Sequence, residues 1–210
     1  MPDTDKTVRV EARHLPLVAK VHARAFPKSA LTCLGSEAIR RYYEWQLHGP
    51  HEHHFIAVFS KENLVGFAVG GRARGALAGF VSKNKWFLTT RVLLQPRLVF
   101  SERGRKALNS GLQALRRLRL QSETPPIRSV ESRRSFGILA IAVDPSYQGK
   151  GVGVQLMERF EEVAREHHFT CMHLNVSVNN TQAIRFYEKL GWTRSGSSAI
   201  WSGLMEKHSS

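Results

Sequence analysis

Apolar residues recur at different periods along this 210-residue chain, and the period sorts it into segments. Residues 7–13 read as a strand. Residues 14–25 then carry Leu17, Val18, Val21 and Ala25 near the 3.6-residue period of a helix face. Phe26-Pro27 ends that helix, because a residue before proline is pushed out of helical geometry. Ser36-Glu37 opens a second helix, SEAIRRYYEWQLH, which Gly49-Pro50 closes. Residues 54–59 and 64–69 read as strands joined by the polar turn Ser60-Lys61-Glu62-Asn63. Residues 136–143 form an apolar run of the buried-strand type. Residues 151–167 put Val152, Leu156, Met157, Phe160, Val163 and Ala164 on one helix face, opposite Glu158, Arg159, Glu162, Arg165 and Glu166. A strand over residues 171–176, a helix over 179–190 and a strand over 199–205 complete the pattern. Strands and helices mixed without strict alternation predict an α/β domain around one mixed sheet.

The middle of the chain follows neither strand pattern. Trp86, Phe87, Val92, Leu93 and Leu94 form an apolar stretch broken by Pro96, and Leu108, Leu112, Leu115 and Leu118 share one helix face flanked by Arg105, Lys106, Arg116, Arg117 and Arg119. Two basic amphipathic helices and a Ser/Pro/Arg linker over residues 121–135 are expected. Charge sharpens this picture: of the formal net charge of +14, residues 72–134 hold 15 basic and 3 acidic side chains. Such a surface suits an anionic partner, either an inner-leaflet membrane or a phosphate-bearing acceptor. A basic patch without a readout motif argues against nucleic acid.

The length fits one domain, residues 1–210. Two cysteines, Cys33 and Cys171, form no C-x-x-C pair, so a zinc ribbon, a redox site and a disulfide framework lose their usual support. The charged start, MPDTDKTVRVEAR, does not read as an export segment, and no apolar run approaches the ~18 residues of a membrane span. A cytoplasmic protein, peripheral at the inner membrane if the basic segment docks there, is the expectation. The spacing of His48, His51, His53 and His54 matches no zinc motif, and no metal is expected.

The sharpest chemical signal is the junction Val143-Asp144-Pro145-Ser146-Tyr147-Gln148-Gly149-Lys150-Gly151-Val152-Gly153, where a buried strand runs through three glycines into an amphipathic helix. Glycines let backbone N–H groups approach a ligand, and a helix N-terminus adds unpaired donors and a positive dipole end. With Lys150 the junction suits a phosphate or pyrophosphate. A dinucleotide fingerprint fails because Val154 stands where glycine is needed, and a P-loop fails because Gly151 follows Lys150. Further on, Asn179 with Gln182 resembles a capping box, Gly191 suits the position past a helix end, and Asn180, Ala183 and Tyr187 fall on one face.

These two motifs, in this order, resemble the GNAT superfamily of acetyl-CoA-dependent N-acetyltransferases. The family's Gln/Arg-x-x-Gly-x-Gly/Ala signature is matched by Gln148, Gly151 and Gly153. Its Asn...Ala...Tyr-Glu-Lys-Leu-Gly-Phe segment is matched by Asn180, Ala183 and residues 187–191, with Trp192 in place of phenylalanine. The resemblance is close over residues 136–193 and looser over the first third. It implies a mixed central sheet flanked by helices, with the basic helical insertion between the third and fourth strands.

The resemblance also implies roles. Backbone groups near Ile141 and Val143 would pair with the pantetheine arm of acetyl-CoA where residues 138–143 part from 171–176. Amides of Gln148, Gly149, Lys150, Gly151, Val152 and Gly153 would hold the pyrophosphate, Asn180 would touch the cofactor arm, and Tyr187 would offer its hydroxyl to the thioester sulfur. Direct attack by an amine needs no acyl-enzyme, so neither cysteine is nominated as a nucleophile. Protein-acetylating relatives place glutamate where this chain has Asn175; His173, Glu131 or a water chain are the alternatives for the base. Residues 25–35 with Tyr42-Tyr43 and the long insertion resemble a bacterial subgroup linked to surface-polysaccharide synthesis, which makes Phe26, Leu31, Thr32 and Tyr43 the acceptor-side candidates. The expected reaction is acetyl transfer to a primary amine of a small acceptor such as an amino sugar. The alternatives are acetylation of a protein N-terminus or lysine, and a non-catalytic acetyl-CoA-binding module.

Overall fold

The computed structural model describes residues 6–72, 76–94, 135–196 and 201–208. Among these residues the strands are β1 (Lys6–Arg9), β2 (Glu52–Ser60), β3 (Asn63–Arg72), β4 (Ser135–Val143), β5 (Cys171–Asn175), β6 (Thr193–Arg194) and β7 (Leu204–His208). They form one sheet in the order β1-β2-β3-β4-β5-β7-β6, with β4 and β5 parallel and the other pairs antiparallel. The helices are α1 (Leu15–Ala25), α2 (Ala30–Leu34), α3 (Ser36–His48), α4 (Ala76–Lys83), α5 (Lys85–Leu94), α6 (Val152–Glu166) and α7 (Thr181–Lys189).

Alternation along the strands divides the core into two layers. Ile56, Val58, Val65, Ala68, Phe136 and Met172 face α6 and α7, where Leu156, Met157, Phe160 and Tyr187 meet them. Phe55, Ala57, Phe67, Val69 and Ala142 face the other way, onto Leu15, Val18, Ile39 and Tyr43 of α1 and α3. The helices therefore cover both faces of a mixed sheet, as the resemblance implies.

The insertion between the third and fourth strands is present, beginning after Arg72 and ending before Ser135. In its described part, α4 sets Gly79 against the Trp45 ring of α3, where a Cβ would come within 2.7 Å. Phe87, Leu88 and Val92 of α5 pack on Leu34 and Ala38. The leucine-faced helix expected around residues 108–118 and the linker after it lie outside the described residues.

Among the boundaries that differ from the sequence reading, three have a visible cause. β1 stops at Arg9, and Ala12–His14 is a single 3-10 turn closed by a Glu11 N–H bond to His14 Nδ1 at 3.0 Å. The last helix is capped by Asn180 rather than Asn179, with Asn180 Oδ1 accepting from the Ala183 N–H at 3.1 Å. The last strand is Leu204–His208 rather than residues 199–205. Gly203 separates the two: its φ of +96° is left-handed, and a side chain there would collide with the Val176 carbonyl. The Trp201 indole N–H turns back to donate to the Leu204 carbonyl at 2.7 Å.

Candidate active site

The site is organised by one extra residue in β4. Val69 of β3 lies opposite Ala140, and Gly70 lies opposite Ile138, so Leu139 has no partner and forms a bulge. A bulge bends its strand and ends regular pairing nearby. On the other edge of β4 the parallel ladder with β5 runs from Ser135 opposite Cys171 to Ile138 opposite Leu174 and stops there. From Leu139 to Val143 that edge of β4 has no strand beside it among the described residues. The parting expected between residues 138–143 and 171–176 is therefore present, and it includes Ile141 and Val143.

The open edge leads straight into the glycine junction. Asp144 caps the 3-10 turn Pro145–Tyr147, taking the Ser146 N–H at 3.0 Å and the Ser146 hydroxyl at 2.6 Å. Arg24 of α1 reaches the same carboxylate at 2.7 Å, tying α1 to the end of β4. Burial pushes Asp144 upward, but the Ser146 hydrogen bonds and the Arg24 and Lys20 charges outweigh it and hold the carboxyl below its ordinary range. Gly149 and Gly151 have φ of +76° and +87°, and a Cβ on either would meet nothing within 4 Å. Gly151 is the N-cap of α6 and supplies no capping side chain, and the first turn holds no acidic residue. The first amides of α6 thus stay available to an anion, as a pyrophosphate group requires. Lys150 lies 4.7 Å over the Tyr147 ring, and Gln148 Nε2 donates to the Val143 carbonyl at 3.3 Å. Gly153 has another purpose: a Cβ there would come within 3.2 Å of the Phe186 ring, so it lets α6 approach α7.

Asn180 spends its carbonyl oxygen on the cap of α7, which leaves its amide N–H groups as donors. Tyr187, seven residues further along the same face, is buried against Phe186 and Trp192, and burial pushes its hydroxyl up to about 12.

The acceptor-side candidates lie across the sheet, beside α1 and α3. Phe26, Leu31 and Thr32 are half-buried around the link between α1 and α2. Tyr43 is fully buried instead, edge-on to Phe67 at 5.0 Å, and it meets the link through His22. The Tyr43 hydroxyl lies 2.8 Å from His22 Nδ1, and His22 Nε2 lies 3.0 Å from Ser29 Oγ. Ser29 donates to Thr32 Oγ1 at 2.9 Å, and Thr32 donates to the Phe26 carbonyl at 2.8 Å. Sequence reasoning passed over His22 and Ser29. The signal was available, since Leu15, Val18, Ala19 and His22 share the buried face of α1 and a titratable residue on such a face stands out.

Of the groups considered for the base, Glu131 lies outside the described residues. His173 and Asn175 alternate with the core residues Met172 and Leu174, so they project to the α1 and α3 side. The His173 ring leans over Gly137, where a Cβ would sit 2.9 Å from Nε2. Burial lowers its pKa, while Glu206 on the paired strand acts the other way. The histidines near β2 do not share one point: the His53 ring stacks on His51 at 4.8 Å, whereas His54 meets His167 and Phe136 of the opposite layer. Among the described residues, the group that brings three ligand atoms within 4.8 Å of one another is Cys171, Glu206 and His208, where β5 pairs with β7.

Comparison with known proteins agrees with this geometry. The profile of the acetyltransferase (GNAT) family matches residues 16–192. An uncharacterized N-acetyltransferase of Methanocaldococcus jannaschii is 36% identical over 66 residues, which is 31% of this chain and 29% of that protein, so the match spans under a third of the relative. The PaiA N-acetyltransferase of Thermoplasma acidophilum, solved in complex with coenzyme A, superposes with a TM-score of 0.57 at 11% identity, covering 98% of this chain and 99% of that one. The ribosomal-protein-S18-alanine N-acetyltransferase of Escherichia coli gives a TM-score of 0.55 at 15% identity, covering 99% of this chain and 95% of the other.

Proposed function

The chain belongs to the acetyltransferase (GNAT) family, and from that premise we propose that it is an acetyl-CoA-dependent N-acetyltransferase acting on a primary amine. The observation that carries this reading is the β4 edge, left unpaired past Ile138 and running directly into an uncapped, glycine-lined helix N-terminus. An extended pantetheine arm pairs with the edge around Ile141 and Val143 as an added strand would. The amides of residues 148–153, with Lys150, take the pyrophosphate. Asn180 donates to the arm.

The reaction follows from the residues around that path. A neutral amine attacks the thioester carbonyl, a C–N bond forms, the C–S bond breaks, and the sulfur leaves as a thiolate. Tyr187 keeps its proton through the neutral range and presents it to the departing sulfur. The amine's own proton leaves by the acceptor side, where His173 or water takes it. Phe26, Leu31 and Thr32 line the acceptor, a small molecule such as an amino sugar, and Tyr43 supports them from the core. The single domain spans residues 1–210, and its basic insertion, residues 72–134, docks on an anionic membrane surface or a phosphate-bearing acceptor. In the described part of that insertion Trp86, Leu93 and Leu94 are each about three-quarters exposed beside Lys85 and Arg91.

The test is acetyl-CoA turnover with glucosamine, spermidine, an alanine-terminated peptide and a lysine peptide, read as free thiol and as acetylated product by mass spectrometry. Amine-dependent thiol release with an acetylated product supports the reading. Saturable acetyl-CoA binding without transfer to any amine would make the chain a binding module.

A further inference from the structure

We infer that His22 is a positioning residue for the acceptor: as the neutral Nε2–H tautomer it is the hub of a one-way hydrogen-bond chain that fixes residues 26–34 and leaves the Thr32 hydroxyl as an acceptor. The inference rests on the proposed role of that segment as the acceptor wall.

Proton counting fixes the direction of the chain. Four contacts link five groups: Tyr43 hydroxyl to His22 Nδ1, His22 Nε2 to Ser29 Oγ, Ser29 Oγ to Thr32 Oγ1, and Thr32 Oγ1 to the Phe26 carbonyl. The carbonyl brings no proton. Tyrosine, neutral imidazole, serine and threonine bring one each. Four protons for four contacts allow a single arrangement in which none is left without a hydrogen. Thr32 donates to Phe26, Ser29 to Thr32, His22 Nε2–H to Ser29, and Tyr43 to the bare His22 Nδ1. A charged imidazole brings a fifth proton and leaves one buried N–H or O–H without an acceptor, which is costly. Burial of His22, which holds it down to about 4, works in the same direction.

The chain joins a fixed point to the acceptor wall. Tyr43 sits in the core against Phe55 and Phe67, while the His22 ring also meets Phe26 edge-on at 5.0 Å. Ser29 Oγ accepts a second bond from the Thr32 N–H at 3.1 Å, so both its lone pairs are used. Thr32 Oγ1 gives its proton to Phe26, takes one from Ser29, and keeps one lone pair. That remaining acceptor suits a donor such as the N–H of an amine. It does not make the chain a base, because the protons point toward a carbonyl that has nowhere to pass them. His22 therefore acts by holding Phe26, Ser29 and Thr32 in place, and its chemistry is not proton removal.

Two measurements test this. Nitrogen-15 NMR of the His22 imidazole in the full chain is expected to show Nε2 protonated and Nδ1 bare; a protonated Nδ1 at neutral pH overturns the chain's direction. Kinetics then use whichever amine of the panel above has the highest kcat/KM. Ser29→Ala and His22→Leu are expected to raise the amine KM at least tenfold while kcat and the acetyl-CoA KM stay within threefold. His22→Gln, which can still donate toward Ser29, is expected to recover most of the loss. Ser29 is half-buried in a loop, so its variant keeps the test open if His22→Leu fails to fold. Leu31→Ala touches the same wall without touching the chain. If Leu31→Ala raises the amine KM and Ser29→Ala does not, His22 is a packing residue and the inference is wrong. If neither moves it, the segment is not the acceptor wall, and the inference falls with that reading.

Discussion

In the proposed mechanism two buried side chains carry opposite duties, and burial serves both. In the proposed reaction Tyr187 holds a proton until a thiolate forms, and its hydroxyl is pushed up to about 12. The wild-type rate should therefore show no loss from this group as pH rises from 7 to about 10, since a donor fails only above its own pKa. Tyr187→Phe should leave acetyl-CoA affinity within twofold and lower kcat by roughly 10²- to 10³-fold. An unchanged kcat, with the chemical step limiting, would reduce Tyr187 to packing. His22 must stay neutral, and the stability of the fold reports it. Its folded pKa, about 4, lies below the ordinary 6.5, so the unfolded chain binds the proton first as pH falls. The stabilisation is complete above pH 6.5 and is lost between 6.5 and 4, by about 3 kcal/mol for this group alone. Urea midpoints across that window should fall for the wild type and fall less for His22→Gln; parallel curves would mean that His22 titrates normally.

At the scale of elements, the two chemical motifs were legible because each needs its residues in sequence. Three glycines between a strand and a helix, and an asparagine, alanine and tyrosine on one helix face, are local patterns. What was not legible was set by distant partners. The Leu139 bulge depends on which β3 residue pairs with which β4 residue, and nothing within residues 136–143 announces it. The end of the chain misled because residues 199–205 look more apolar than Leu204–His208, while the boundary is imposed by the contact of Gly203 with the Val176 carbonyl. Tyr43 was readable with more care, since Ile39, Tyr43 and Gln46 share the inward face of α3. Gly153 makes an element-level prediction. Gly153→Leu would wedge α6 from Phe186 of α7, costing roughly 1–3 kcal/mol of stability by overpacking. It should also weaken acetyl-CoA binding, because the amides of residues 148–153 and Asn180 then no longer share one frame. A melting temperature equal to that of the wild type would show that the two helices do not need the glycine.

Across the whole molecule, charge and chemistry are separated: residues 72–134 carry 15 basic and 3 acidic side chains, while the glycine junction and α7 lie outside that segment. No helix among the described residues is long and apolar enough to cross a membrane. Sedimentation with anionic and neutral vesicles over a salt series, for the wild type and for a variant with Arg116, Arg117 and Arg119 changed to Gln, distinguishes the two anionic partners. Salt-sensitive binding to anionic vesicles that the variant loses identifies a membrane surface, whereas a raised acceptor KM without vesicle binding identifies a phosphate-bearing acceptor. In the proposed reading acetyl-CoA binds in the other part of the molecule, along the open β4 edge and at the bare start of α6. Calorimetric titration of acetyl-CoA into the wild type and into Gly151→Val, each first shown to be folded by circular dichroism, tests this placement. Saturable binding by the wild type and at least tenfold weaker binding by the variant are expected, since the new side chain fills the space above a residue with φ of +87°; equal affinity in a folded variant would mean that the cofactor does not bind there.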